Sequence, residues 1–177
     1  MNRGADDAIP PGFSHNPTAW GRRALLFALA LAGLVVAAYL TLHQVGVIDA
    51  VWDPVFGASS SEAVLTLTEP VPDAAGGVAA YASELALLLV GGSVRWRTRP
   101  WACIALGAVL AAGAAVSVAL IVIQPAVAGA WCGLCLVSAA LSLLLFALGI
   151  GEARAALGHV RRTRARGVPL ADAVRGG

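Results

Sequence analysis

An all-α integral membrane protein, built as a four-transmembrane-helix bundle with a short helix in its outer loop, is predicted by three features of this 177-residue chain. Hydrophobic residues make up 59% of it and charged residues only 12%, which is too apolar for an ordinary soluble domain. The excess is gathered into four blocks, residues 24–46, 74–92, 101–124 and 131–149, each close to the roughly 20 residues a helix needs to cross hydrocarbon. All twelve basic residues are arginines, and none falls in 47–73 or 125–130.

Taken in order, residues 1–21 with "IPPG" and "HNPT" read as a flexible cytoplasmic leader. The block at 24–46 is longer than a signal-peptide core, follows a polar stretch and has no small-x-small cleavage site, so a retained helix is expected. Arginine-rich loops resist translocation. Arg3, Arg22 and Arg23, then Arg95, Arg97 and Arg99, then the arginines of 151–177 therefore place both termini and the 91–100 hairpin in the cytoplasm. Trp20, Trp96 and Trp101 are expected at the inner interface and Trp52 and Trp131 at the outer one, because indole rings favour the headgroup zone. The arginine tail suits anionic lipid, and no nucleic-acid partner is expected.

The outer loop, 47–73, carries Asp49, Asp53, Glu62, Glu69 and Asp73, yet Trp52, Val55, Phe56, Val64, Leu65 and Leu67 make it too apolar to float in water. It is expected to pack down as a lid. Ser59 and Glu62 have the spacing of a capping box, which predicts a helix from about Ser60 to Leu67, stopped before Pro70. Asp73 is the expected N-cap of the second transmembrane helix. The small residues of "ALGAVLAAGAAVSVAL" in the third helix permit close helix approach.

Three cysteines carry the chemistry. Cys103 begins the third helix on the arginine side, about 30 Å from the other two by helical rise, beyond disulfide reach; it reads as a small buried apolar residue. Cys132 and Cys135 open the fourth helix on the outer side, on one helical face, where the helix start favours a thiolate at the first position and the compartment is oxidising. Haem attachment would need a histidine at Leu136. A metal site would need two more ligands, for which His43 and an outer-loop carboxylate are the available pair. A structural disulfide between neighbours closes too small a loop to stabilise much, so redox exchange is the favoured reading, with the structural pair and the metal site as its alternatives.

Four helices, an outer loop with a short helix and "CGLC" opening the fourth helix resemble the vitamin K epoxide reductase family over about residues 22–150. The resemblance implies that Cys132 and Cys135 are the redox centre beside a quinone pocket, with a membrane quinone of the ubiquinone or menaquinone type as cofactor. Cys132, taken as the more accessible thiolate, would exchange with an outside partner, and Cys135 would face the quinone. The sequence departs from the family in its loop: the position of a loop cysteine is Ser61, with Val64 in place three residues on and Leu67 where a serine or threonine is usual. A pocket tyrosine of the vertebrate enzymes corresponds to Ala139. An internal cysteine relay is thereby lost, and the implied thiol partner is an extracytoplasmic thioredoxin-like protein acting directly on the C-x-x-C.

Other residues take roles from that implied chemistry. Glu84, midway along the second helix, is costly as an ion there; it is either a neutral carboxyl knitting helices together or a proton relay to the quinone. Tyr81 shares its face and is a candidate donor to a quinone carbonyl. Trp131 and Phe56 are candidate pocket walls, with Trp52 a second lid aromatic, and His43 is placed to favour a thiolate. A non-catalytic membrane assembly or scaffold protein with a degenerate redox site is the alternative function, and a metal-handling protein the third.

Overall fold

The structure, a computed structural model, describes residues 9–68 and 71–176. Arg3, Glu69 and Pro70, the last being the expected stop of the lid helix, lie outside the described residues. Among the described residues all regular structure is helical: α1 (Trp20–Gln44), α2 (Ala58–Leu65) with a 3-10 turn at Thr66–Thr68, α3 (Ala74–Leu89), α4 (Arg95–Thr98), α5 (Pro100–Ile123) with a π turn at Gln124–Ala128, α6 (Gly133–Ala165) and α7 (Leu170–Arg175). α5 packs along α6, α3 along α1, and α1 and α3 close the bundle against α6 and α5 respectively.

Three of these helices are long and apolar enough to cross a membrane: α1, α5 continued through its π turn to Ala128, and α6. The block expected as the second span forms a helix of 16 residues, about 24 Å long by helical rise against roughly 30 Å of hydrocarbon. Its end is set by guanidinium groups. Arg23 donates to the carbonyls of Gly91, at 2.8 Å, and Leu88, and Arg95 to those of Leu87 and Val90 at 2.7 and 3.1 Å. Carbonyls that a helix end leaves open are thus taken by two buried arginines, and the chain turns at Gly91, whose φ of +77° suits glycine.

The core runs between Leu26, Ala30 and Ala37 of α1, Tyr81 and Leu88 of α3, Leu106 and Leu110 of α5 and Leu145 of α6. Small residues let the helices close: Gly107 lies against Ala153, and the ring of Tyr81 lies over Gly33, so a side chain at either glycine would collide.

Two expectations about the arginine end are corrected. Residues 9–19 are not a loose leader: Pro10, Pro17 and Thr18 are fully buried, and Asn16 and Thr18 donate to the carbonyl of Ser93 at 2.7 and 2.6 Å, docking the segment on the α3–α4 connection. Trp96 is buried rather than interfacial, packed with Cys103, Ala155 and Ala156 and edge-on to His159. The reason for both is that α6 does not end near residue 149. It continues to Ala165, and its extension offers a second small core.

Candidate functional site

Cys132 and Cys135 are joined in a disulfide with their Cα atoms 5.2 Å apart. Cys132 is the N-cap of α6, and its sulfur accepts from the Cys135 amide at 3.2 Å. The three residues before and at the helix start are then held from two sides. Gln124, buried in the π turn, accepts from the Cys132 amide at 2.9 Å. The Ser60 hydroxyl donates to the Trp131 carbonyl at 2.7 Å and accepts from the Trp131 amide at 3.1 Å.

Asp53 completes the enclosure. One carboxylate oxygen accepts from the Gly133 amide at 2.6 Å and from the Ser61 hydroxyl at 2.5 Å; the other accepts from the amides of Val55 and Phe56 at 2.9 and 3.1 Å. Burial acts to raise the pKa of this carboxyl, but the bonds from Ser61, Phe56, Val55 and Gly133 outweigh it and draw it down to about 2. A side chain at Gly133 would stand 2.7 Å from the Asp53 carboxylate, so glycine is what admits it.

The lid therefore sits on the disulfide, and it does so differently from expectation. Its helix begins at Ala58 after Gly57, whose φ is +84°, and no side chain caps it. The Ser59–Glu62 capping box does not form, because Asp53 with its turn already organises this start. Among the described apolar residues of the loop, Val51 and Leu65 are the deeply buried ones, against Leu40 of α1, with Leu134 and Cys135 packed beside them. Trp52 and Val55 remain about 70% exposed.

The enclosure inverts the expected accessibility of the two sulfurs. Cys132 is wholly buried under the lid, whereas Cys135, on the next turn, is half-buried. Phe56 and Trp131 meet as a near-parallel pair, ring centroids 6.4 Å apart. Deeper in the bundle, the Tyr81 hydroxyl donates to the Ser138 carbonyl at 2.7 Å and shares hydrogen bonds with the Ser138 and Ser142 hydroxyls at 3.1 and 2.8 Å. Tyr81 is thus tied to α6 one turn beyond Cys135. Glu84, one turn along α3 from Tyr81, is buried beside Gly113, with one carboxyl oxygen lacking a partner.

His43 bonds the Ile48 carbonyl at 3.0 Å, serving the turn after α1. Ala139 is buried, and Asp73 stands at the N-cap of α3 as expected, though its carboxylate accepts from Gln44 at 2.6 Å and makes no bond to the helix amides. Cys103 is buried at the arginine end, as its position implied. Among the described residues no group of three or more His, Cys, Asp or Glu side chains is arranged to hold a metal ion.

Asp53, Ser60, Gln124, Ser138 and Ser142 were not singled out by the sequence reading. Each acts across 57 to 80 positions of chain or from an irregular turn, and no local pattern marks such pairings. The nearest signal was Ser61, singled out by position alone.

A family model described as the vitamin K epoxide reductase family matches residues 24–150. No curated protein and no solved structure matches the chain.

Proposed function

This chain belongs to the vitamin K epoxide reductase family, and on that premise we propose a membrane thiol-disulfide oxidoreductase whose Cys132–Cys135 pair delivers electrons to a quinone of the ubiquinone or menaquinone type. The observation that carries the reading is the disulfide itself, closed at the head of a bundle helix and shielded by the lid. Closing it from two thiols releases two electrons and two protons, for which a bound quinone supplies the acceptor.

The residues at this end fit a flat, lipid-soluble ring. Phe56 and Trp131 offer aromatic faces beside the pair, and Cys135 is the sulfur left partly open. Ser138, Tyr81 and Ser142 form a line of hydroxyls behind Cys135, and Glu84, with an unpartnered oxygen, is the next acidic group inward. We assign Glu84 and Tyr81 to holding and moving the protons that leave the thiols.

All four apolar blocks are taken as spans, α3 being completed by its arginine-capped end, with both termini cytoplasmic in a bacterial inner membrane. The support is that Arg22, Arg23, Arg95 and Glu152 meet at one end of the bundle, opposite the cysteines. An extracytoplasmic thioredoxin-like protein would supply electrons directly to the pair. Because Cys132 is covered, its use as the point of entry requires the lid to lift.

Thiol alkylation read by mass shift tests this. Protein reduced and then given quinone should return to the unalkylatable disulfide, and Glu84→Gln should slow that return by on the order of a hundredfold or more with the fold intact. A scaffold reading is favoured by the covered Cys132 and by the Asp53–Ser61 bond in a loop without cysteines. Under it, the pair stays oxidised against mild reductant and quinone changes nothing.

A further inference from the structure

We infer that Asp53 is a positioning residue for the Cys132–Cys135 pair: its carboxylate shares the open donors of one helix start with the Cys132 sulfur, opposes a Cys132 thiolate there, and biases the pair toward the disulfide. The inference rests on the reading of this pair as redox-active, and adds what sets its poise.

A bare helix start stabilises a thiolate at the N-cap. Here the first-turn donors are divided: the amide of Cys135 points to the Cys132 sulfur, and that of Gly133, between them, goes to Asp53 at 2.6 Å. A fixed anion therefore occupies the terminus next to the sulfur that would become anionic. Asp53 is 7% exposed, so water screens it weakly. It is held by four donors, from Gly133, Ser61, Val55 and Phe56.

Other charges at this end do not offset it. α1 brings Tyr39, whose hydroxyl accepts from the Trp52 amide, and His43, bonded to Ile48. The lid brings Glu62 and the loop before it Asp49; α3 begins after Asp73, bonded to Gln44. The π turn, the outer half of α5 and the first 19 residues of α6 carry no Asp, Glu, His, Lys or Arg. No arginine lies between residues 24 and 94, so the acidic groups prevail.

The consequence is thermodynamic. Reduction by glutathione breaks the Cys132–Cys135 bond as two glutathione thiols are oxidised to one glutathione disulfide, their two protons ending on the cysteines or in water. Whatever disfavours the thiolate product shifts that equilibrium to the disulfide, and only at a pH where the thiolate forms.

The test is equilibration of the full chain in detergent micelles with glutathione redox buffers at pH 6 and pH 9, read by alkylation mass shift. Asp53→Asn keeps an oxygen for Gly133 and Ser61 and removes the charge, at the loss of the bonds from the Val55 and Phe56 amides. At pH 9 it should move the equilibrium toward the dithiol by up to about tenfold, equivalent to about 30 mV, and at pH 6 hardly at all. Ser61→Ala, which loosens the lid and leaves the charge, should show no such pH dependence. An equal shift at both pH values in Asp53→Asn, or none, would overturn the assignment by reducing Asp53 to a lid tether. Should that variant not fold, the reduced natural protein decides: an alkylation pKa for Cys132 at or above about 8.5, the ordinary thiol value, supports the inference, and one below about 7.5 defeats it. Quinone enters none of these measurements, so their failure is separate from failure of the quinone reaction.

Discussion

The two ends of the bundle are held together by opposite means. At the arginine end, Arg95 and Glu152 form a wholly buried ion pair, Arg95 and Arg23 fill the carbonyls at the end of α3, and Arg22 donates twice to the Leu148 carbonyl. At the cysteine end a single carboxylate, two serine hydroxyls and one glutamine amide join the lid and π turn to the start of α6. Buried charge is costly to separate, whereas neutral hydroxyl and amide bonds are worth about 1 kcal/mol each. The comparison teaches that the arginine end is held by an ion pair and several guanidinium bonds, while the cover over the sulfur pair depends on one carboxylate, Asp53, with weaker bonds around it.

The largest effect expected from breaking this contrast is at Glu152. Glu152→Ala leaves Arg95 charged and unpaired in a dry site and should cost about 3–5 kcal/mol, seen as a large drop in thermal unfolding temperature in micelles. Converting both residues to leucine should recover only part, because the carbonyls of Leu87 and Val90 still lose their donor.

An intermediate effect is expected from acid. The Asp53 carboxyl is lowered from 3.8 to about 2 by its hydrogen bonds, so its contribution is fully present above the unfolded value and is lost as pH falls through about 4 toward 2. The loss, on the order of 2 kcal/mol, should loosen the lid first: alkylation of Cys132 in reduced protein, corrected for thiol ionisation, should quicken between pH 6 and pH 3, whereas Asp53→Asn, with no charge to lose, should already be fast at pH 6 and change little. An equal acceleration by acid in both proteins would show that the carboxylate does not hold the lid.

The smallest is at Ser60. Ser60→Ala removes the hydroxyl that bridges both backbone groups of Trp131 and should cost about 1 kcal/mol. Hydrogen exchange at the Trp131 amide should quicken about fivefold, with the arginine end unchanged.

Much of this architecture was readable in advance because apolar length and arginine placement are properties of contiguous sequence. Residues 24–46 and 101–124 anticipate Trp20–Gln44 and Pro100–Ile123 within a few positions, and the C-x-x-C was placed at a helix start. What escaped was whatever depends on a distant partner. Arg95 read as a topology signal, since nothing near it announces Glu152, 57 positions on. Asp53 read as one loop acid among several, and its selection depends on Gly133, where the missing side chain leaves room for a carboxylate. The continuation of α6 past 149 was hidden because a run of Glu152, Arg154 and later arginines looks like solvent, while Ala153, Ala155, Ala156 and Val160 among them are buried.

That continuation makes a single helix of the cysteine end and the buried ion-pair end of the bundle. α6 has 33 residues without a break, about 50 Å by helical rise, with the disulfide fixed at one tip and His159 and the last arginines near the other. The sulfur pair and the far arginines are thereby the two ends of one uninterrupted helix, with no irregular residue between them at which one end could pivot alone.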